Sequence, residues 1–350
     1  MSNPSASSKS EGLGKIAVHF LKLGAFATAL GACAQSVAEA ENASAPLVLE
    51  ATVPLGDVRG RIDHMAVDLG RRRLLVAELG NGTVDVVDLA SRTVVHRIAG
   101  LKEPQGVGYV ATADLIVVAC SGDGSLHFYH AADFAPAGTL DLGDDADNIR
   151  VDSGSEHVIV GYGAGALAVV DAASRAKLQD IRLAGHPEAF QLDHGSNRAF
   201  VNVPDAGQIA AVDLGAGRQI ANWTVPGARA NFPMAIDVAG ATIAVVFRSP
   251  ARLALLDTKN GVVSANAETC GDGDDVYFDA KRGRIYVSCG DGVVDVFARD
   301  GAGLRHLAGI QSGSGARTSL FVPELDRLFV ARRQAVFGAP AAILVFRPVP

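Results

Sequence analysis

The chain has 350 residues, of which 49% are hydrophobic and only 6% aromatic, and it contains 39 glycines. That is enough apolar material for a large buried core, and glycines between apolar runs are typical of β architecture with many turns. The formal net charge is −7, and no Lys/Arg cluster interrupts the acidic balance. These values exclude the basic surface that duplex nucleic acid requires, so no nucleic-acid partner is expected.

The N-terminal segment predicts a bacterial export signal over residues 1–33. Three lysines, Lys9, Lys15 and Lys22, precede an apolar run at residues 23–32, which is too short to cross a bilayer. Basic residues, a short apolar run and then small residues are the order found in export signals. The mature protein is therefore expected in the periplasm or on the bacterial envelope.

Two processing sites remain open. The run Leu-Gly-Ala-Cys, ending at Cys33, resembles the cleavage site of bacterial lipoproteins, in which Cys33 would carry a lipid anchor to the membrane. The run Ala-Glu-Ala, ending at Ala40, would instead release a soluble periplasmic protein. Residues 34–45 are small and polar and predict a flexible tether, whereas residues 46–350 carry a continuous pattern that predicts one domain.

One strand-like pattern recurs seven times at intervals of 41 to 49 residues. It reads hydrophobic, variable, hydrophobic, hydrophobic and then aspartate or a substitute. A strand repeat of this length is typical of a β-propeller blade, so the chain is predicted to be an all-β propeller. The copies are VDVVD ending at Asp88, LHFYH at His130, LAVVD at Asp171, IAAVD at Asp213, LALLD at Asp257, VDVFA at Ala298 and ILVFR at Arg347.

Each repeat predicts four strands, and the number of strands indicates how the ring closes. Six complete units cover residues 61–315, and a seventh begins at Arg317 but stops after its third strand, near Arg347. Residues 47–55, LVLEATVPL, have the pattern of the missing fourth strand. We therefore predict a seven-bladed β-propeller with four-stranded blades, in which this N-terminal strand completes the last blade and leaves no gap in the ring.

The second strand of the repeat, which reads RLLVAE, RIYVSC or RLFVAR in three copies, and the strand that follows it resemble the YVTN-repeat, YncE-like propellers. The resemblance covers residues 46–350 and rests on the repeat. It implies an exported bacterial seven-bladed propeller, in a family whose members mostly have no known biochemical role. Some relatives bind nucleic acid, which the acidic charge does not favour here.

The polar residues just before each inner strand are the candidate site. Inner strands of a propeller begin at one face around the central channel, where ligands usually bind. Carboxylates gathered there raise one another's pKa or recruit a cation, and an arginine would neutralise them or clamp an acidic ligand. Hydrogen bonding within the loops is the alternative for the same residues. The predicted binding residues are Asp63, His64, Gln105, Asp147, Asn148, His186, Glu188, Asn231, Asp274, Asp275 and Arg317.

Two main functions fit this pattern. The first is a monomeric binding or scaffold module that holds an unknown small molecule or periplasmic protein through an acidic funnel at the channel mouth. The second is a metal-dependent hydrolase that resembles propeller lactonases and gluconolactonases, which hold a divalent cation with Glu, Asn and Asp side chains. A calcium or magnesium ion would be held here by the oxygen donors Asp147, Asn148, Glu188 and Asp275. A quinone- or haem-linked redox role is a third alternative, although the haem attachment motif C-x-x-C-H does not occur in the sequence.

Two of the four cysteines are placed for a disulfide. Cys270 lies just before the inner strand of the sixth repeat and Cys289 ends its second strand, so a hairpin would bring both to one face. Two separate thiols are the alternative. Cys120 has the place of Cys289 in the second repeat without an evident partner, and it is predicted to be a small core residue.

Overall fold

The described part of the protein begins where the repeat begins. The computed structural model describes residues 45–350 apart from positions 153, 302, 336 and 337. The predicted export signal, the tether up to residue 44 and the lipidation candidate Cys33 lie outside the described residues. Residues 46–350 form one compact unit. No helix within the described ranges has the length and apolar character that a membrane span needs.

The blades contain four strands each, and their strands follow one another along the chain. Blades one to three comprise β2 (Met65–Asp68), β3 (Arg73–Glu78), β4 (Thr83–Asp88), β5 (Thr93–Ala99), β6 (Pro104–Val110), β7 (Leu115–Cys120), β8 (Ser125–His130), β9 (Pro136–Asp141), β10 (Ile149–Val151), β11 (His157–Tyr162), β12 (Ala166–Asp171) and β13 (Ala176–Arg182). Blades four to six comprise β14 (Phe190–Asp193), β15 (Arg198–Val203), β16 (Gln208–Asp213), β17 (Arg218–Trp223), β18 (Arg229–Asp237), β19 (Thr242–Ser249), β20 (Ala251–Asp257), β21 (Val263–Glu268), β22 (Gly273–Asp279), β23 (Arg284–Cys289), β24 (Val293–Asp300) and β25 (Gly303–Gln311). Blade seven comprises β26 (Ser319–Val322), β27 (Arg327–Arg332), β28 (Ala342–Pro348) and the N-terminal strand β1 (Leu47–Pro54).

The N-terminal strand closes the ring as the repeat predicts. The described strands form seven four-stranded sheets, and the seventh has the order β1-β28-β27-β26. Strand β1 is antiparallel to β28, from the pair Leu47 and Pro348 to the pair Pro54 and Ala342. Inner strand β26 contacts β2 of the first blade as well as β22 of the sixth. The predicted all-β, seven-bladed propeller with N-terminal closure is therefore confirmed.

The blades pack face to face through apolar cores. Central strands are buried on both faces, whereas outer strands such as β5 alternate between exposed and partly buried positions. This alternation is the period of two that a half-buried antiparallel strand requires. The core between blades seven and one contains Val53 and Leu55 from the N-terminal segment, Met65 and Leu74 from blade one, and Phe329 from blade seven. The N-terminal segment is thus part of a blade interface as well as a sheet edge.

The aspartates inside the repeat are turn residues. Asp88 accepts the backbone N–H of Ala90 at 3.0 Å, and Asp257 accepts that of Lys259 at 2.8 Å. Such Asx turns fix the reversal between the third and fourth strands. These side chains belong to the fold, whereas the polar residues that precede the inner strands are not needed to form the turns.

Candidate functional site

The strand register shows which side chains share a level of the channel. In each blade one inner-strand residue pairs with a valine of the second strand; the pairs are Met65–Val76, Val107–Val118, Ile149–Val160, Phe190–Val201, Met234–Val245, Val276–Val287 and Ser319–Val330. In each blade, the residue two positions before the inner-strand member of the pair belongs to a set that we call the mouth ring. Its members are Asp63, Gln105, Asp147, Glu188, Phe232, Asp274 and Arg317. The residue one position after the same inner-strand member belongs to a second set, the channel ring. Its members are Ala66, Gly108, Arg150, Gln191, Ala235, Tyr277 and Leu320.

Two cavities lie at these levels, and His64 lines both of them. The mouth cavity has a volume of about 20 Å³, which is enough for one group the size of a water molecule. The channel cavity has a volume of about 530 Å³, within the range of small-molecule sites. The mouth cavity is lined by Arg61, Asp63, His64, Asp147, Asn148, Glu188, Ala189, Phe232 and Asp274. Polar residues that line the channel cavity include His64, Arg150, Gln191, Asp275 and Tyr277.

Seven of the eleven sequence-predicted residues line one of these cavities. His186 and Arg317 line neither but lie beside Asp147 and Asp274, which do. The other two, Asn231 and Gln105, lie apart from the site. Asn231 is buried between blades four and five, where its side-chain amide donates to Asn202 Oδ1 and to the Gln208 carbonyl, both at 2.9 Å. Because the register shifts between Asn231 and Met234, Phe232 takes the place in the mouth ring that Asn231 was expected to have. Gln105 is buried at its ring position but lines neither cavity.

Arginines neutralise the side of the mouth formed by blades five to seven. Arg317 Nη1 lies 2.8 Å from Asp272, and its Nε lies 3.1 Å from Asp274. Arg248, at the end of β19, lies 3.3 Å from Asp272 and also donates to Asp274. Paired guanidinium and carboxylate groups cancel each other's field at close range. The mouth is therefore less acidic than the sequence suggests, since these two aspartates share two arginines.

Asp63 is paired as well, although it is deeply buried. Its side chain is 1% exposed, and Arg61 Nη2 lies 2.7 Å from its Oδ2. Burial raises the pKa of Asp63 to about 6, against the opposing charges of His64 and Arg61. Its Oδ2 has no hydrogen-bond partner of good geometry among the described residues, although the guanidinium of Arg61 lies beside it. Because that charge already balances the carboxylate, Asp63 is a weaker candidate for holding a ligand than the residues of blade three.

Blade three presents two buried oxygen atoms without partners. Asp147 is 6% exposed and Asn148 is 2% exposed, and Oδ1 of each has no hydrogen-bond partner among the described residues. The basic nitrogen that lies within 4.0 Å of Asp147 Oδ1 is His64 Nε2, at 3.7 Å, which is beyond hydrogen-bond distance. Leaving a buried acceptor unsatisfied costs about 1–3 kcal/mol. Both residues line the mouth cavity, so a donor placed there would relieve this cost.

Burial raises the pKa of one carboxyl group in each cavity to near neutral. Burial, with repulsion from Asp147, raises the pKa of Glu188 to about 7, although His186 opposes the shift. Burial also raises the pKa of Asp275 to about 7, while its Oδ2 accepts the backbone N–H of Ser319 at 2.7 Å. Glu188 lines the mouth cavity and Asp275 lines the channel cavity. Perturbed carboxyl groups in a cleft are typical of functional sites.

Two histidines lie beside Asp147, and the pKa of each is raised. Burial lowers the pKa of His186, but Asp147 and the Gly163 carbonyl outweigh it and raise the value to about 9. The Nδ1 of His186 donates to that carbonyl at 2.7 Å, and its Nε2 lies 3.9 Å from Asp147. For His64, Asp63 and Asp147 likewise outweigh burial, so its pKa is raised. His186 therefore favours the imidazolium form at neutral pH, and the shift of the His64 pKa is in the same direction.

Sequence reasoning missed the polar members of the channel ring. Arg150, Gln191 and Tyr277 lie within inner strands and face the channel. The available signal was a charged or polar residue in the middle of an otherwise apolar strand, as in Ile149-Arg150-Val151. Arg248 was missed for another reason, since it ends a second strand and meets its aspartates only because neighbouring blades adjoin.

The two predicted cysteines are bonded in the structure. Cys270 and Cys289 form a disulfide with 5.9 Å between their Cα atoms and a sequence separation of 19. The backbone N–H of Cys270 donates to Asp295 Oδ2 at 2.8 Å. Cys120 is a buried free cysteine, as its place in the repeat suggests. The disulfide joins β23 to the segment that leads into Asp272, so it supports the paired side of the mouth.

The four residues that were predicted to hold a divalent cation do not all line one cavity. Among the residues that the structure describes, no three His, Cys, Asp or Glu side chains are grouped so that they could hold a metal ion. Of the four candidates, Asp147, Asn148 and Glu188 line the mouth cavity, whereas Asp275 lines the channel cavity. The divalent-cation site remains a prediction that rests on three oxygen-bearing side chains.

Comparison with known proteins supports the fold. No family model and no curated protein matches the chain. Among solved structures, a chain of hydrazine synthase from Kuenenia stuttgartiensis is similar, with a TM-score of 0.70 and 15% identity over 79% of this chain and 93% of that one.

Two other solved structures are similar at lower identity. A chain of the mitotic checkpoint complex has a TM-score of 0.73 and 11% identity over 85% of this chain and 91% of that one. The WD40 repeats of RRP9 have a TM-score of 0.73 and 10% identity over 87% of this chain and 98% of that one. At such identities the likeness concerns the fold alone, and the fold that these structures share with this chain is the β-propeller.

Proposed function

We propose that the chain is an exported, YncE-like binding propeller whose mouth cavity receives a primary ammonium group of its ligand. One observation carries the proposal: Oδ1 of Asp147 and Oδ1 of Asn148 are buried, lack partners among the described residues and line a cavity of about 20 Å³. A ligand that satisfies two acceptors must bring donors. A primary ammonium group has three N–H donors on one compact atom, so it suits a water-sized space.

Glu188 gives this site its charge preference. Its carboxyl group lines the same cavity and faces Asp147, Asp274, His64 and His186, and its pKa is about 7. Arg61 and Asp63, also in the cavity lining, form an ion pair with each other. As the pH rises through 7, Glu188 becomes an anion while His186, with a pKa of about 9, stays protonated. Ammonium binding should therefore strengthen between pH 6 and pH 8.

A titration with n-butylamine tests the proposal. At pH 8 we expect saturable binding by calorimetry, and at pH 6 an affinity several-fold weaker. Glu188→Gln should reduce this difference, and the part that remains is assigned to Asp63, which lines the same cavity and has a pKa of about 6. Asn148→Ala should weaken binding about tenfold or more, because a hydrogen bond to a charged group contributes about 1.5–3 kcal/mol. The matched control is Asn266→Ala, which makes the same substitution on an exposed outer-strand residue. Absence of saturable binding at pH 8, or equal affinity in Asn148→Ala, would contradict the proposal.

The second candidate is the metal-dependent hydrolase, and the same two oxygen atoms favour it. Asp147, Asn148 and Glu188 offer the hard oxygen donors that Ca²⁺ prefers, and a bound cation would polarise a lactone carbonyl in the adjoining channel. If so, calcium at 100 times its Kd should stabilise the protein by about 2.7 kcal/mol relative to a chelator. The measurement is thermal melting with and without calcium, on the natural chain and on Glu188→Gln. An identical melting curve in both conditions would remove this candidate.

A further inference from the structure

Arg150 is a cation inside the channel that has no paired anion among the described residues. It lies in the middle of β10, and its side chain lines the channel cavity together with Asp275 and Tyr277. Within the described residues, no carboxylate oxygen lies within 4.0 Å of its guanidinium nitrogens. One nitrogen, Nη1, donates to the carbonyl of Ile149 at 2.7 Å. A guanidinium group has five N–H donors, so most of its hydrogen-bonding capacity is open to the cavity.

The surroundings hold this side chain in place without neutralising it. Its guanidinium carbon lies 5.5 Å from the centre of the Phe190 ring, which is within the range of a cation–π contact. Burial lowers the pKa of Arg150, while Tyr277 and Asp275 oppose that shift from across the channel. Tyr277 donates its hydroxyl to the Ser319 carbonyl at 2.7 Å. An arginine that is held by an aromatic ring, and whose guanidinium N–H groups are free, can bind a carboxylate with two parallel hydrogen bonds.

Arg150 lies two residues after the unpartnered Oδ1 of Asn148 in the mouth. Asn148 directly precedes β10, and its carbonyl still accepts the backbone N–H of Gly161 in β11 at 3.0 Å. In an extended chain, residues two apart point to the same side, so these two side chains start about 7 Å apart on one face. His64 lines both the mouth cavity and the channel cavity, so the two spaces adjoin. One small molecule can therefore reach both groups, provided that several bonds separate its positive charge from its negative charge.

We propose that Arg150 binds the carboxylate of the same ligand whose ammonium group occupies the mouth cavity, so the ligand is a zwitterion of the ω-amino acid class. This inference rests on the proposed function, because the ammonium site orients the molecule. Asn148, Asp147 and Glu188 recognise its amino end, and Arg150 recognises its acidic end. An α-amino acid is too short for both contacts, since its two charged groups share one carbon atom.

The test compares three probes of equal chain length: 4-aminobutyrate, n-butylamine and butyrate. Calorimetry on the natural chain should give at least tenfold tighter binding for 4-aminobutyrate than for either of the others. In Arg150→Met this preference over n-butylamine should disappear, while the affinity for n-butylamine should stay within twofold. Arg218→Met is the matched control, because Arg218 is exposed on outer strand β17. Circular dichroism and a melting curve should show that Arg150→Met folds, since the variant removes an unpaired charge.

The outcomes separate the two proposals. If n-butylamine binds but 4-aminobutyrate binds no better, or if the preference survives in Arg150→Met, the role of Arg150 is overturned and the ammonium site stands. If butyrate alone binds, and does so through Arg150, the ammonium site and the zwitterion are both overturned. A further series uses amino acids of increasing chain length, from glycine to 4-aminobutyrate. An affinity that rises along this series in the natural chain but not in Arg150→Met would support a zwitterionic ligand.

Discussion

Deleting residues 46–56 should lower the free energy of unfolding by about 5 to 9 kcal/mol. The segment buries three apolar side chains completely or nearly so, Leu47, Val53 and Leu55, at 1–2% exposure. Each such side chain contributes about 1.5–3 kcal/mol. A natural domain is stable by about 5–15 kcal/mol, so the loss removes most of that margin. The truncated chain should melt far below the natural one or fail to fold.

Polar contacts and sheet geometry add to this loss. Arg97 of blade one donates to the Leu55 carbonyl at 3.0 Å, and Arg327 of blade seven lies 2.6 Å from Glu50. Removing β1 also uncovers one edge of β28, and the backbone groups on that edge then lack partners. An exposed strand edge is a template for pairing with another chain, so the truncated protein should aggregate on heating.

Two point variants within the same strand make the test specific. Val53→Ala should lower the free energy of unfolding by about 2 kcal/mol, because it empties a buried position. Leu49→Ala should change it by less than about 0.5 kcal/mol, because Leu49 is 51% exposed. Urea unfolding of both variants and of the truncated chain, each against a chain that begins at residue 45, supplies the measurement. A truncated chain that unfolds at the same urea concentration as its reference would show that β1 does not close the ring.

The closure could be predicted because it follows from a period. Once the last repeat stops near Arg347, the missing strand must come from elsewhere, and residues 47–55 have its pattern. The mouth ring could be predicted in part for the same reason, since Asp63, Asp147, Glu188 and Asp274 occupy equivalent places in four blades. A repeat aligns residues that the fold later brings together in space.

The other features of the site could not be predicted from the repeat, because they depend on local irregularities in the strands and on contacts between blades. A register shift in β18 puts Phe232 at the mouth and turns Asn231 into a buried link between blades. The arginines that pair with Asp272 and Asp274 come from a neighbouring blade in each case, at a sequence distance that no motif fixes. The period predicts which residues share a level, but it does not predict which charges cancel.

Arg97→Met should destabilise the protein most strongly at alkaline pH, because Arg97 balances two buried carboxyl groups of blade one. Asp85 and Glu78 are both 0% exposed. Arg97 donates to the two oxygens of Asp85 at 2.6 and 2.7 Å, and it lies 4.0 Å from Glu78. Removing one partner of a fully buried ion pair costs about 3–5 kcal/mol. The side chain of Arg97 is 37% exposed, so solvent screens part of the interaction and we expect a smaller loss, about 2–3 kcal/mol, at pH 9.

The direction of the pH dependence follows from Glu78. Burial raises its pKa from 4.5 to about 8; a hydrogen bond from Thr83 opposes the shift, and repulsion from Asp85 adds to it. The folded protein therefore holds this proton more tightly than the unfolded chain does. The resulting stability is complete below pH 4.5 and is lost as the pH rises through 8. Without the positive charge of Arg97 the pKa of Glu78 should rise further, so the difference between variant and natural chain should grow from pH 5.5 to pH 9.

Urea unfolding at pH 5.5, 7 and 9 measures this effect, and two variants separate charge from packing. The double variant Asp85→Asn with Arg97→Met should recover at least half of the loss at pH 9, because no unpaired carboxylate remains at position 85. Arg59→Met should change the free energy of unfolding by less than about 0.5 kcal/mol at every pH, because Arg59 and Asp57 form an exposed pair with 72% and 77% of their side chains accessible. A loss in Arg97→Met that is equal at pH 5.5 and pH 9 would assign its role to packing and to the bond with the Leu55 carbonyl. A loss that grows with pH would show that the charge of Arg97 offsets the cost of two buried carboxyl groups next to the strand that closes the ring.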